Sequence, residues 1–172
     1  MATDWNPALY RRFEDQRTRP AVELLRRVPD DLAVRFAVDL GCGPGNSTEL
    51  VAARYAQARV LGIDNSEAML RSARQRLPQL PFELADLSQW QPAPGEPAPD
   101  LLCANAALQW VPDQARLLPR LMGLLAPGGV LAVQVPDNLD EPSHRLMRET
   151  AALPPYAAHI GDANAVRAPR LP

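Results

Sequence analysis

The sequence predicts an α/β domain, built on a mostly parallel sheet that is flanked by helices. Short apolar segments alternate with segments of helical periodicity, as in βαβ units with right-handed crossovers. The apolar run VLAV at residues 130–133 is typical of a strand that is covered on both faces. A third observation is the glycine turn DLGCGPGN at residues 39–46, which follows the first apolar segment directly. A glycine turn between a strand and a helix is typical of a nucleotide-binding unit.

Each element has its own local signal. The predicted strands cover residues 36–40, 60–64, 82–85, 100–104 and 130–135. Helices are predicted at residues 20–28, after the glycine turn, at 66–76 and at 113–126. Asn46, Ser66 and Asp113 are the expected N-caps of the last three helices, because their short polar side chains can accept a backbone hydrogen bond. After residues 154–156 the sequence predicts irregular chain.

Length and composition limit the classes of protein to which this chain can belong. The chain has 172 residues, of which 47% are hydrophobic, so one domain with a buried core is expected. No apolar stretch approaches the ~18 residues of a membrane span, and the first residues do not resemble a secretory signal. The formal net charge of −2 gives no support for nucleic-acid binding. We therefore expect a cytoplasmic protein with neither a membrane nor a nucleic acid as partner.

The basic side chains exclude functions that need a lysine, and the cysteines and histidines have ordinary structural interpretations. All 18 basic residues are arginine, so the chain has no P-loop lysine and no lysine for a Schiff base. Cys42 and Cys103 lie in apolar strand-end segments and are expected to be buried free thiols. His144 and His159 are the only histidines, and both are expected on the surface.

Polar or glycine positions follow four of the predicted strands. They are Gly41, Asp64, Asp86 and Asn105. Parallel strands bring their carboxyl ends to one edge of the sheet, and ligands of open α/β sheets bind outside that edge. The sequence therefore predicts one ligand site at this edge.

The spacing of the glycines distinguishes two kinds of nucleotide site. A dinucleotide fingerprint that starts at Gly41 needs its third glycine at position 46, where this chain has Asn46. The third glycine is instead Gly45, which disfavours an NAD-dependent oxidoreductase. The pattern D-x-G-x-G-x-G at residues 39–45 resembles motif I of class I S-adenosylmethionine (SAM)-dependent methyltransferases. That resemblance implies a Rossmann-like fold and SAM as the cofactor.

The resemblance also implies roles for individual residues. The glycine turn and the helix after it suit the carboxylate of SAM, and Asp39 suits its ammonium group. Asp64 is expected to accept both ribose hydroxyls, Asp86 to meet the adenine amino group, and Met69 to pack on the adenine. The expected cofactor-binding residues are Asp39, Gly41, Gly43, Gly45, Asp64, Met69, Asp86, Leu87 and Asn105. No catalytic side chain or metal ligand is predicted, since methyl transfer from a sulfonium can be promoted by alignment and desolvation.

Three further segments of the chain are more specific than the glycine turn. WNPALY at residues 5–10, NAALQW at 105–110 and QVPDN at 134–138 resemble segments of the trans-aconitate 2-methyltransferase family. That resemblance runs from about residue 4 to residue 148. It implies transfer of a methyl group from SAM to a carboxylate of trans-aconitate, a small-molecule substrate. The expected substrate-binding residues are Trp5, Tyr10, Arg17, Arg19, Gln109, Trp110 and Arg145. Alternatives are another small or carrier-bound acceptor, and a chain that binds SAM without turnover.

The predicted organisation departs from the family at its end. Residues 1–35 are expected to form an N-terminal helical cap segment, 36–153 the SAM-binding core, and 154–172 an irregular, truncated tail. Class I methyltransferases have seven strands, whereas five are predicted here, so the C-terminal strands are expected to be missing. A fifth strand without its neighbours would leave an apolar edge exposed.

Overall fold

The computed structural model describes residues 14–163, with side chains from Thr18 onward, and shows a five-stranded parallel sheet. The strands are β1 (Phe36–Leu40), β2 (Arg59–Asp64), β3 (Phe82–Leu84), β4 (Leu101–Asn105) and β5 (Val130–Gln134). Their order in the sheet is β3-β2-β1-β4-β5, and each neighbouring pair is parallel. The α/β class and the Rossmann-like fold are therefore confirmed. Every strand lies within one residue of its predicted bounds, because buried parallel strands are marked by short apolar runs.

Six α-helices and one 3₁₀ turn accompany the sheet in the described residues. They are α1 (Glu14–Leu25), α2 (Asn46–Arg54), α3 (Glu67–Arg76), the 3₁₀ turn (Leu108–Trp110), α4 (Gln114–Gly123), α5 (Pro142–Ala151) and α6 (Pro154–Ile160). The prediction of irregular chain after residue 154 is wrong, because α6 forms there. This helix begins with two prolines in its first turn, where a missing N–H group costs no helical hydrogen bond. None of the helices in residues 14–163 has the length and apolar character needed to span a membrane.

Helices pack on both faces of the sheet. One face carries Val38 and Leu102, which pack with Leu121 of α4. The other carries Ala37 and Cys103, which pack with residues of α1 and α2. We call this second face, which bears Ala37, Cys103 and Ala132, the α1 face. The predicted burial of Cys42 and Cys103 as free thiols is confirmed.

Of the three predicted N-caps, Ser66 and Asp113 occupy the cap positions and Asn46 does not. Ser66 caps α3 as predicted, since its Oγ accepts a hydrogen bond from Met69 N at 3.2 Å. Asn46 is not the cap of α2: the cap is Gly45, whose φ of +94° is unfavourable for other residues. Asp113 precedes α4, but its side chain makes no cap hydrogen bond. That helix ends at Gly123, three residues earlier than predicted.

The two histidines and the last strand of the sheet also test predictions from the sequence. The surface prediction for His144 is wrong, because His144 and Ala151 lie seven residues apart on one face of α5 and both are buried. His159 is exposed, as predicted. Among the described strands β5 is an edge strand, and four of its five residues are half-buried.

Candidate cofactor and acceptor site

The carboxyl ends of the five strands meet at one edge of the sheet. Along that edge the residues at or just after the strand ends follow the order Asp86, Asp64, Gly41, Asn105 and Gln134. The predicted convergence of the first four positions is thus present. From β1 the chain proceeds to β2 on one side, and it later returns to place β4 on the other side. The junction of β1 and β4 is therefore the topological switch point where such sheets bind ligands.

The N–H groups of the glycine turn have partners inside the protein. Gly41 N and Cys42 N both donate to Ile63 O, at 2.8 and 2.9 Å. Gly43 N donates to Asp64 Oδ2 at 2.8 Å, and Gly45 N donates to Cys42 O at 3.0 Å. All four of these N–H groups are therefore engaged within the protein. What it offers a ligand is a close approach to backbone without side chains.

Gly41 is also required by packing at the switch point. Its φ is +71°, and a Cβ at this position would lie 2.4 Å from the Cβ of Ala107. Real Cβ atoms do not approach so closely, and Ala107 belongs to the segment between β4 and the 3₁₀ turn. The glycine turn and this second loop are thus in direct contact.

The carboxylate of Asp64 joins two loops at the end of β2. Besides Gly43 N, it accepts a hydrogen bond from Ser66 N through Oδ1, at 2.9 Å. A carboxylate can accept several hydrogen bonds at once, so the bonds to the two loops are compatible with a contact to a ribose. The half-buried side chain lies at the predicted edge position. This geometry fits a ribose acceptor.

The loop after β3 and helix α3 supply the other predicted cofactor-binding residues on this side of the site. Asp86 is exposed, and its Oδ1 accepts a hydrogen bond from Ser88 N at 2.8 Å. Leu87 and Met69 are buried apolar side chains. Arg120 holds the loop by donating to the carbonyl oxygens of Leu87 and Trp90, at 2.7 and 2.8 Å. Sequence reasoning missed Arg120, whose helical position carries no local signal for this contact.

Asp39 lies below the surface at the carboxyl edge. Its side chain is fully buried, and its Oδ2 accepts hydrogen bonds from Ser47 Oγ at 2.7 Å and Thr48 Oγ1 at 2.6 Å. It thereby fastens the first turn of α2 to β1. Asp39 Oδ1 is buried and has no hydrogen-bond partner among the described residues. Burial raises the pKa of Asp39 to about 6 and the charge of Asp64 adds to this, while the hydrogen bonds from Thr48 and Ser47 oppose it.

The raised pKa of Asp39 predicts a stability change with pH. The folded state holds the Asp39 proton more tightly than the unfolded chain, whose value is near 3.8. The contribution of Asp39 to stability is therefore highest below that value and falls as the pH rises to about 6. The decline amounts to about 3 kcal/mol, from ~1.4 kcal/mol per pKa unit. Asp39→Asn cannot titrate, so its free energy of unfolding relative to wild type should rise across this range in urea denaturation. If the free energies of unfolding of wild type and Asp39→Asn change with pH in the same way, the prediction is contradicted. Exposed Asp31→Asn is the control.

The segment after β4 forms a tightly held turn. Ala106 has a φ of +52°, and its N–H donates to Gln134 O at 2.8 Å. Gln109 Nε2 donates to Ala106 O at 2.7 Å, which fixes the orientation of that amide. Gln114 Nε2 donates to the carbonyl oxygens of Leu108, at 2.6 Å, and Val111. Gln109 is therefore partly engaged in holding the turn.

The structure brings only some of the other predicted substrate-binding residues to the carboxyl edge of the sheet. Trp110 follows this turn and is 60% exposed. Arg19 is exposed on α1 and pairs with Glu23 at 2.8 Å, while Arg145 is exposed on α5 and pairs with Glu149 at 3.4 Å. These are ordinary surface ion pairs. Trp5 and Tyr10 lie outside the described residues, and so does the side chain of Arg17.

Helix α1 nevertheless reaches the carboxyl edge. Asn46 Nδ2 donates to Thr18 Oγ1 at 3.3 Å, which places the N-terminal half of α1 beside the start of α2. The backbone of Arg17 precedes Thr18 directly. The helix therefore brings this arginine position near the glycine turn.

Comparisons with known proteins agree with this geometry. A family model described as "Methyltransferase domain" matches residues 37–129. A trans-aconitate 2-methyltransferase of Methylobacterium radiotolerans is 69% identical over 92% of this chain and 60% of its own length. The enzyme of the same name from Delftia acidovorans is 65% identical over 98% of this chain and 63% of its own length. The chain thus spans about three fifths of the curated relatives it matches.

Solved structures show the same fold. SAM-bound CalS10, an amino pentose methyltransferase from Micromonospora echinaspora, is 26% identical with a TM-score of 0.55. The match covers 72% of this chain and 52% of CalS10. SAM is the cofactor of this group of proteins, and open α/β sheets bind their ligands outside the carboxyl ends of the strands. On its sequence, fold and switch-point geometry, the chain belongs to the SAM-dependent methyltransferase-domain family.

Proposed function

We propose that this chain carries the SAM-binding part of an O-methyltransferase that acts on trans-aconitate. The products would be a monomethyl ester and S-adenosylhomocysteine (SAH). The observation that carries the proposal is the high identity to relatives named trans-aconitate 2-methyltransferase across nearly all of this chain. Membership of the methyltransferase-domain family removes the NAD-dependent oxidoreductase from the alternatives.

The strand-end residues fit the cofactor. Asp64 would hold the ribose, Asp86 the adenine amino group, and the uncrowded backbone at Gly43 would lie along the methionyl group. Gly43 supports this role because a Cβ there would meet nothing within 4 Å. SAM, when bound, supplies an activated methyl group on a sulfonium. The residues of this chain then have to bind, align and exclude water, which needs no nucleophilic side chain.

The acceptor side of the proposal concerns a small carboxylate. Arg17, Arg19 and Arg145 are the candidate partners for its charged groups, because a guanidinium binds a carboxylate in bidentate geometry. Trp5, Tyr10, Gln109 and Trp110 are the candidate walls of the pocket. Another small or carrier-bound acceptor is the second candidate, and SAM binding without turnover is the third. The proposed location remains the cytoplasm, without nucleic-acid or membrane partners.

Mass spectrometry of the reaction products tests the proposal. The purified chain is incubated with SAM and trans-aconitate, and in parallel with citrate or a carrier-bound dicarboxylate. A methyl ester and SAH that appear only with trans-aconitate support the proposed acceptor. An ester formed only with another acceptor would replace it. SAH without any ester, or no turnover by a chain that binds SAM, would favour the third candidate.

A further inference from the structure

Two carboxamides stand side by side at the ends of β4 and β5. Asn105 and Gln134 are register partners in the parallel pair, so their side chains project from the same face of the sheet. Asn105 Oδ1 and Gln134 Oε1 are both buried, and neither has a hydrogen-bond partner in the described part of the protein. Leaving a buried acceptor without a partner is unfavourable, so a pair of them indicates a place where a ligand completes the hydrogen bonds.

The pair lies on the α1 face. Asp39, Cys103 and Ala132 form one row across β1, β4 and β5, and Asn105 and Gln134 form the next row towards the carboxyl edge. In β1 the corresponding position falls just beyond the strand, at Gly41, which has no side chain. The α1 helix packs on this same face and reaches the edge through Thr18. The amides thus face the side of the sheet that the predicted acceptor arginine of α1 approaches.

The order of residues along the carboxyl edge indicates where the cofactor and the acceptor would each bind. If Asp86 holds the adenine and Asp64 the ribose, the ligand runs from β3 through β2 to the glycine turn after β1. Continuing in the same direction leads to β4 and β5, the latter about 10 Å from β1 at ~4.8 Å per strand. The amide pair is therefore on the acceptor side of the transferable methyl group.

The chemistry of an amide suits the carboxylate that reacts. An amide can turn its NH₂ towards a ligand by a half rotation, and within residues 14–163 no partner holds the oxygen atoms of Asn105 and Gln134 in place. Gln109 differs, since Ala106 O holds its nitrogen. A neutral N–H donor orients a carboxylate without neutralising the oxygen that has to attack. An arginine at the same place would reduce that oxygen's electron density.

We propose that Gln134 and Asn105, the latter expected from the sequence to bind SAM, bind and orient the acceptor carboxylate that becomes methylated. This inference rests on the proposed function. In the step itself a carboxylate oxygen attacks the methyl carbon, the new C–O bond forms, and the S–CH₃ bond breaks. The electron pair of that bond returns to sulfur, which leaves neutral SAH and the methyl ester. No proton is transferred, so the amides act as positioning groups that contact the substrate.

Titration calorimetry of the SAH-loaded chain with trans-aconitate tests the proposal. Gln134→Glu keeps the shape of the side chain but adds a negative charge. We expect it to weaken trans-aconitate binding by about tenfold or more, because a hydrogen bond to a charged group is lost and repulsion is added. Gln134→Leu should weaken binding less, and the Kd for SAH should stay within about twofold. Exposed Gln57→Glu adds the same charge at the amino edge and is the matched control.

Each other outcome contradicts the inference in a different way. Equal trans-aconitate affinity of wild type and Gln134→Glu would show that the amide pair does not contact the acceptor. Tighter SAM binding in Gln134→Glu would assign the pair to the cofactor's ammonium group, and loss of SAH binding in a folded variant would also assign it to the cofactor. If the wild-type chain binds SAH but not trans-aconitate, the proposed acceptor fails and this inference fails with it.

Discussion

Replacing Asp64 with alanine is expected to weaken SAM binding by about 100-fold. The carboxylate is the proposed acceptor for both ribose hydroxyls, and hydrogen bonds to a charged group contribute about 1.5–3 kcal/mol each. The same change removes the acceptor of Gly43 N and Ser66 N, so the glycine turn loses its link to the start of α3. Both effects act in the same direction on cofactor affinity.

Titration calorimetry with SAM separates these contributions. Asp64→Asn keeps one acceptor oxygen and should retain more affinity than Asp64→Ala, while exposed Asp31→Ala should bind like wild type. Cooperative urea unfolding of each variant shows whether the fold is intact. Wild-type affinity in a folded Asp64→Ala chain would contradict the assignment of Asp64 to the ribose.

The substitution Gly41→Ala is expected to reduce stability by about 2–4 kcal/mol. One contribution is the positive φ of +71°, which costs a non-glycine residue about 1 kcal/mol or more. The other is the overlap with Ala107 Cβ at 2.4 Å, which forces the glycine turn and the β4 loop apart. Because both loops border the proposed site, SAM affinity should fall as well.

Gly95 provides the matched control for this prediction. It also has a positive φ, of +88°, but a Cβ there would meet nothing within 4 Å. Gly95→Ala therefore measures the cost of the backbone conformation alone, and urea denaturation of the two variants gives the contribution of the overlap by difference. Equal losses would show that the contact between Gly41 and Ala107 does not constrain the switch point.

The sheet and its ligand edge could be predicted because their signals are local. Each buried strand is a short apolar run, and the residues at the strand ends, such as Asp64, are brought together by the parallel topology. The cap of α2 could not be read in this way, since Asn46 has the right side chain but the positive φ falls at Gly45. The contact of Asp39 with Ser47 and Thr48 depends on how the glycine turn folds back, which spacing does not specify.

The acceptor side was harder to predict than the cofactor side. Arginine is abundant in this chain, so residue type alone does not distinguish Arg19 and Arg145 from other surface arginines. In the structure both form ion pairs one helical turn away on their own helices. Gln134 begins the segment QVPDN, but it becomes a candidate for acceptor binding only when the strand register places it beside Asn105. Chemistry that depends on two neighbouring strands becomes visible only in the fold.

Titration of the folded wild-type chain with SAM, alongside NAD, tests the central claim most directly. The account predicts saturable binding of one SAM per chain and no saturable binding of NAD, since the switch point has the methyltransferase glycine spacing and Asp64 at the end of β2. Cooperative urea unfolding of the same sample establishes that the chain is folded. NAD binding without SAM binding, or no binding of SAM by the folded chain, would contradict the cofactor site described for this edge of the sheet.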